Sequence, residues 1–187
     1  MPVNPGGITN NGGNKVCLGE VTDAWALKTL TAGTNALDVG HIANSDIGQA
    51  SAKTEFKSED NKVRAADFDF SLNTTGQLMQ TDKVTIDFLA ESVKNKYFLQ
   101  YKYQGIKDGK HQEIFTLGQV TPQFKITTPG GASSMPYEFT GIYPSATVTF
   151  NSTNLAAIET ALSVTIYCTG ASITASQGFV VKETVVA

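Results

Sequence analysis

Polar and apolar residues alternate with a period of two through much of the middle of this chain, the mark of β-strands with one buried face. Over 51–59, Ala52, Thr54, Phe56 and Ser58 fall on one side and Lys53, Glu55, Lys57 and Glu59 on the other. The run Glu59-Asp60-Asn61-Lys62 supplies turn residues. Residues 63–73 then return, with Ala66, Phe68, Phe70 and Leu72 opposed to Ala65, Asp67, Asp69 and Ser71. The two arms are expected to pair as a hairpin with one dry and one wet face.

The period then changes. Thr81 suits an N-cap, Asp82 suits the first turn, and Ile86, Leu89, Ala90 and Val93 recur at i, i+3, i+4 and i+7. This spacing predicts a helix over about 81–93 that docks that stripe on a sheet, with Lys83 and Asp87 paired outside. Alternation resumes over 95–104, where Tyr97, Leu99, Tyr101 and Tyr103 oppose Phe98, Gln100, Lys102 and Gln104. Asp108-Gly109 fits the positive φ angles of a type I′ turn, so 111–117 is the partner strand of a second hairpin.

Further strands are expected at 15–19, 24–30, 123–128, 137–141, 146–150, 163–169 and 178–185. A short helix is expected over about 153–162, using Leu155, Ile158 and Leu162 and capped by Thr153 or Asn154. Residues 31–50 hold several Gly, Asn and Asp residues and read as a long loop, of a length that is usually functional or interfacial. Residues 1–14 are rich in Gly, Asn and Pro and read as a flexible arm. The expected fold is mainly β: a β-sandwich or barrel with one main packed α-helix, a single domain over 15–187 behind the arm.

Composition narrows the function. Hydrophobic residues are 41 % of the 187, enough for a core, while charged residues are 17 %, below the roughly 25 % usual in soluble proteins. Such a surface packs against neighbours without stranding ions, which hints at oligomerisation. Net charge is −3 and Arg64 is the only arginine, which argues against a dedicated nucleic-acid binder. Between Ile126 and Val181 there is no Lys or Arg, and only Glu138 and Glu159 are acidic. The ions concentrate instead between Lys53 and Glu113. No run approaches the 18 or more apolar residues of a membrane helix. The start, Met1-Pro-Val-Asn-Pro-Gly-Gly, lacks the basic and apolar regions of a secretory signal. The cytosol is therefore the expected compartment, with Cys17 and Cys168 reduced.

Candidate chemistry is thin. Asp67 and Asp69 stand at i, i+2, where they would suit a cation or an acid/base pair, but a solvated strand face explains them better and no loop adds the six to eight oxygens that Ca²⁺ takes. His41 and His111 lack partners at metal-ligand spacing, and the two cysteines form no CxxC. No GxSxG, P-loop or GxGxxG is present, and Gly130-Gly131 after Pro129 reads as turn chemistry. The row Tyr97, Tyr101, Tyr103 would suit stacking on sugars or bases, though such rows are more often core or interface. Asn73-Thr74-Thr75 and Asn151-Ser152-Thr153 match glycosylation sequons by chance. No catalytic, cofactor-binding or metal-binding residue is assigned, and no enzyme activity is expected.

The order of elements resembles one known family. A charged hairpin, 53–72, feeds the helix that begins Thr81-Asp-Lys-Val-Thr-Ile-Asp-Phe-Leu. Phe115-Thr-Leu-Gly-Gln-Val-Thr-Pro-Gln-Phe-Lys-Ile-Thr-Thr-Pro-Gly-Gly and Pro136-Tyr-Glu-Phe-Thr-Gly follow. Over roughly residues 15–150 this is similar to the major tail tube proteins of long-tailed bacteriophages. The resemblance implies a structural virion protein, assembled in the host cytoplasm, that forms hexameric rings stacked into the hollow conduit for DNA ejection. Strands of neighbouring subunits would join around the lumen, and arms or long loops would bridge rings. It also implies partners: a tape measure protein, a tail terminator, baseplate or distal tail proteins, and DNA that passes without specific binding, with no membrane involved. The acidic balance fits such passage, although the basic residues at 53, 57, 62 and 64 temper it. The tube of a contractile phage-tail-like or secretion device, a capsid decoration protein and a carbohydrate-binding β-sandwich remain alternative readings.

Overall fold

The structure is a computed structural model that describes residues 15–78, 83–92, 94–121, 135–144, 146–168, 171–173 and 179–187, with 40–56, 63–72, 77–78, 135 and 171 described by their backbone alone. Its elements run β1 (Lys15–Val21), β2 (Ala36–Lys57), β3 (Val63–Leu78), α1 (Lys83–Ser92), β4 (Tyr97–Lys107) and β5 (Lys110–Thr121). They continue with β6 (Met135–Gly141), β7 (Val148–Phe150), α2 (Ser152–Leu162), β8 (Ala171–Ile173) and β9 (Phe179–Val185). The fold is mainly β, as expected, with two helices.

Six antiparallel strands follow one another in the order β4-β1-β2-β3-β6-β5, and β5 pairs back with β4. The ladder therefore closes on itself, which removes edges that would otherwise lie open. β5 makes the closure by sharing one edge: Lys110 to Thr116 pair with β9, and Gly118 to Thr121 pair with β6. Gly118 sits at the handover, opposite Gly141 on one side and Phe98 on the other. A Cβ there would lie 2.0 Å from the Thr140 carbonyl oxygen, so only glycine lets β6 approach. The β4–β5 turn forms as its sequence predicts, with Asp108 at φ 51° and Gly109 at φ 72°.

Alternation along the barrel strands builds two cores. Val16 and Leu18 of β1, Phe98 of β4, and Tyr137 and Phe139 of β6 meet inside the curl, with Phe88 and Leu89 of α1. Cys17 and Val21, Leu99 and Tyr101, and Phe115 and Leu117 face the other way, under α2 and the β7-β8 pair. Strands with both faces covered lose the polar/apolar contrast that marks half-buried ones. Inside, the Tyr137 hydroxyl donates to Gln100 Oε1 at 2.6 Å and Gln100 Nε2 donates to Thr74 Oγ1 at 3.1 Å. This chain of bonds ties β6, β4 and β3 together through an interior filled by side chains, as in other small barrels.

Several expectations are corrected. The loop foreseen over 31–50 is strand from Ala36 onward, because pairing with β1 and then β3 overrides the local Gly, Asn and Asp content. The strand foreseen at 24–30 is a turn. The Trp25 amide donates to the Thr22 carbonyl at 2.8 Å, Trp25 adopts φ 62°, and its ring rests 5.2 Å from that of Tyr97. Residues 163–168 form no strand, and the short β8 takes the pairing with β7. Helix α1 buries Thr85, Phe88, Leu89 and Ser92 in place of the stripe through Ile86 and Ala90. Packing of Phe88 on Phe98, with centroids 5.6 Å apart, sets that rotation. Helix α2 starts as expected but is capped by Asn151, whose side chain accepts from the Asn154 amide at 2.9 Å. The arm over 1–14, the helix start at Thr81 and Asp82, the strand at 123–128 and Gly130-Gly131 lie outside the described residues.

Candidate assembly surface

The features singled out in the sequence do not converge. Asp67 and Asp69 stand on β3 opposite Thr54 and Ala52, and His41 stands on β2 opposite Lys15. His111 is buried elsewhere, its Nδ1 3.1 Å from the Tyr103 hydroxyl and its ring stacked 3.6 Å from that of Tyr167. The tyrosine row does not form a platform. Tyr101 is core, Tyr97 packs on Trp25 and Tyr103 is engaged with His111. Among the described residues no three His, Cys, Asp or Glu gather in a metal-binding group. Both cysteines are free and buried. Burial, then the neighbouring carboxylate, pushes Cys168 up to about 12 and Cys17 higher still, so neither is a nucleophile near neutral pH.

Glu113 is fully buried on β5, and both its oxygens accept from the Tyr167 amide at 3.1 Å. Burial raises its carboxyl above the usual range, and the Tyr167 amide and the Tyr101 hydroxyl offset part of that. The Tyr101 hydroxyl donates to the Thr165 carbonyl at 3.3 Å, and the Ile166 amide donates to Glu159 Oε1 at 2.8 Å. The irregular segment 163–168 is thus fastened by side chains, where a strand would use its backbone. This cluster is structural.

What the fold does expose is strand. Lys182, Glu113, Tyr103, Lys15 and His41 form one row across β9, β5, β4, β1 and β2. Beyond that row β4 ends at Lys107 and β9 at Val185, close to the β4–β5 turn, while β2 runs on to Lys57. β1 leaves β2 at His41 and β6 leaves β3 at Leu72. Among the described residues, the rest of the hairpin, through the turn at Ser58–Lys62, is a ribbon with no third strand beside it. Counted from the row Leu72-Gly141-Gly118, β3 reaches its end at Val63 about one residue beyond the level at which β5 reaches the β4–β5 turn at Lys110.

The turn sets the ribbon's register. The Asn61 amide donates to the Ser58 carbonyl at 2.8 Å, the Ser58 amide to the Lys62 carbonyl at 3.0 Å, and Asn61 takes φ 60°. This is the three-residue hairpin loop in which a type I turn is followed by a left-handed residue. With the shift between Phe56 and Lys57, it places Lys53 opposite Phe68, Ala52 opposite Asp69 and Ser51 opposite Phe70. In this register Lys53 and Phe68 share one face of the ribbon and Ala52 and Asp69 the other.

At the same rim, β9 is the last strand of the sheet order, and its outer edge pairs with no other strand among the described residues. Val181 and Val185 are 47 % and 71 % exposed, with Val186 exposed beside them. Glu183 between them is held by Gln112 at 2.8 Å and Lys110 at 3.3 Å, which lower its carboxyl. Sequence reading placed β9 but not its edge position. The alternation Val181-Glu183-Val185, which yields no dry face, was the available signal. No helix among the described residues is long and apolar enough to cross a membrane. No protein-family model matches the chain, and no curated protein matches it in sequence.

Proposed function

We propose that this chain is a structural, non-catalytic subunit that self-assembles into the tube of a bacteriophage tail, as stacked rings around a conduit for DNA. The observation that carries the proposal is the ribbon. An isolated two-stranded hairpin is marginal in water, yet beyond His41 and before Leu72 this one has no third strand beside it among the described residues. Such a ribbon is stabilised by adding to another sheet, and further copies of the chain are the partner that a tube supplies. The filled barrel interior fits the same arrangement, because it puts the conduit between copies and not through one. The order of hairpin, helix and closing strands is what the family resemblance rests on.

The test is negative-stain electron microscopy with light scattering over a concentration series of the purified protein. Rings or hollow tubes without added partner are the expected result. A monomer that persists at the highest concentration, and also after addition of preformed tail ends as initiator, overturns the proposal.

A further inference from the structure

We propose that the groove between residues 27–30 and α2 receives the apolar C-terminal tip, Val185-Val186, of a second copy of this chain. This rests on the tube reading and deepens it by naming a contact through which successive copies stack.

The groove has a fixed wall on each side. The bridge between Val21 and Leu27, and the 3.0 Å bond from the Lys28 amide to the Glu20 carbonyl, lay residues 27–30 beside β1. A Cβ on Gly19 would lie 3.3 Å from Leu30 and 3.4 Å from Leu27, so the two leucines pack against bare strand backbone. On the other side α2 presents Ala156, Ala157 and Thr160, all exposed. The space between the walls is about 540 Å³. Lys28, the charged residue among its lining, is bound to Glu20.

Charge sets this surface apart. A helix face left in water ordinarily carries charged and polar residues, and that of α2 carries no charge. Over 146–173, the stretch that forms β7, α2 and β8, Glu159 is the only charged side chain. It is engaged within the layer, where it accepts from the Ile166 amide at 2.8 Å. The surface therefore fits a partner that brings apolar groups and no ion.

The chain itself carries such a group. Val185 is 71 % exposed and Val186 37 %. The Val186 amide donates to the Gly109 carbonyl at 2.9 Å, which holds the tip ready-made against the β4–β5 turn. Glu183 is already held by Lys110 and Gln112, and Lys182 alternates to the other face of the strand, opposite Glu113.

Position makes this a stacking contact. Gly19, under the groove, pairs with Leu99, and Val185 pairs with Lys110. Leu99 and Lys107 are eight residues apart on β4, and their partners Leu117 and Lys110 seven apart on β5. Groove and tip therefore lie toward opposite ends of the barrel, about 25 Å apart along the strands. Neither can meet the other within one copy, and a second copy supplies what each lacks. The contact is heterologous, so it repeats from copy to copy and has a direction.

Cysteine pairing tests this in the full-length protein, whose own thiols are buried. Protein carrying Ala157→Cys is mixed in equal parts with protein carrying Val185→Cys, assembled and mildly oxidised. The expected product is the mixed disulfide, in excess over the homodimer of either variant. Tubes without that product overturn the groove assignment and leave the tube reading standing. An Ala157→Cys homodimer formed as readily also overturns it, since the groove would then meet itself. Parent protein that stays monomeric, with tail ends added, overturns both.

A charge variant separates the surface from the fold. Ala157→Glu with Thr160→Glu is expected to slow elongation by at least about tenfold in light scattering, with the thermal midpoint of the monomer unchanged, as befits exposed positions. Ala157→Ser, small and uncharged, is expected to elongate as the parent does. Normal tubes from the glutamate variant overturn the assignment.

Discussion

The barrel and the ribbon are built from the same two strands, β2 and β3, yet obey different rules. In the barrel each strand has neighbours on both edges and a core against both faces, so a slip of one residue would strip Val16, Leu18, Phe98 and Phe139 from their cluster. In the ribbon the turn sets the register, which puts Phe68 opposite Lys53, Phe70 opposite Ser51 and Ala52 opposite Asp69. The barrel's two cores lie within the chain; in the proposed tube the ribbon gains its stability from what it adds to.

The sharpest way to break the comparison is at the closure. Gly118→Ala places a methyl group against the β6 backbone and is expected to destabilise the barrel by more than about 4 kcal/mol, the range of backbone-level conflicts. Loss of the cooperative denaturant transition checks it, and a near-normal midpoint would mean that β6 does not approach so closely. Phe115→Ala, at a fully buried position, is expected to cost about 3–5 kcal/mol, read from urea unfolding.

A smaller effect concerns pH. Because burial raises the Glu113 carboxyl in the folded state, its contribution to stability is present at low pH and is lost as pH rises through the raised value. Glu113→Gln is therefore expected to flatten the dependence of unfolding free energy on pH above the ordinary carboxylate range. An unchanged slope would place the linkage in another group. The smallest effect on folding belongs to the ribbon: replacing 50–71 by an Asn-Gly turn is expected to shift barrel stability by less than about 1 kcal/mol while abolishing assembly. A large loss of stability in that variant would show the barrel leaning on the ribbon, against the contrast drawn above.

Legibility in the sequence followed the range of the determining interaction. Asp108-Gly109 was legible because positive φ is a property of the residues themselves. Helix α2 was legible because Leu155, Ile158 and Leu162 lie within three turns. The helix at 81–93 was foreseen but not its face, which Phe98 on β4 decides. Residues 36–50 looked like loop because their composition weakens a strand locally, and only pairing with β1 and β3 reveals them as one. The candidate surface was legible in part. The hairpin was foreseen, but neither its outer stretch without a third strand nor the edge position of β9 was, since both depend on where other strands stop.

The sequence alone determined that this is a mainly β chain with a charged hairpin and two helices, because alternation, caps and turn residues act within a few positions of one another. Only the tertiary structure decided that β5 divides its edge between β9 and β6, that the ladder closes, and that β2 and β3 run on past their pairing with β1 and β6. Those outcomes rest on hydrogen bonds between residues far apart in the chain and on the absence of a side chain at Gly118, which local pattern does not encode.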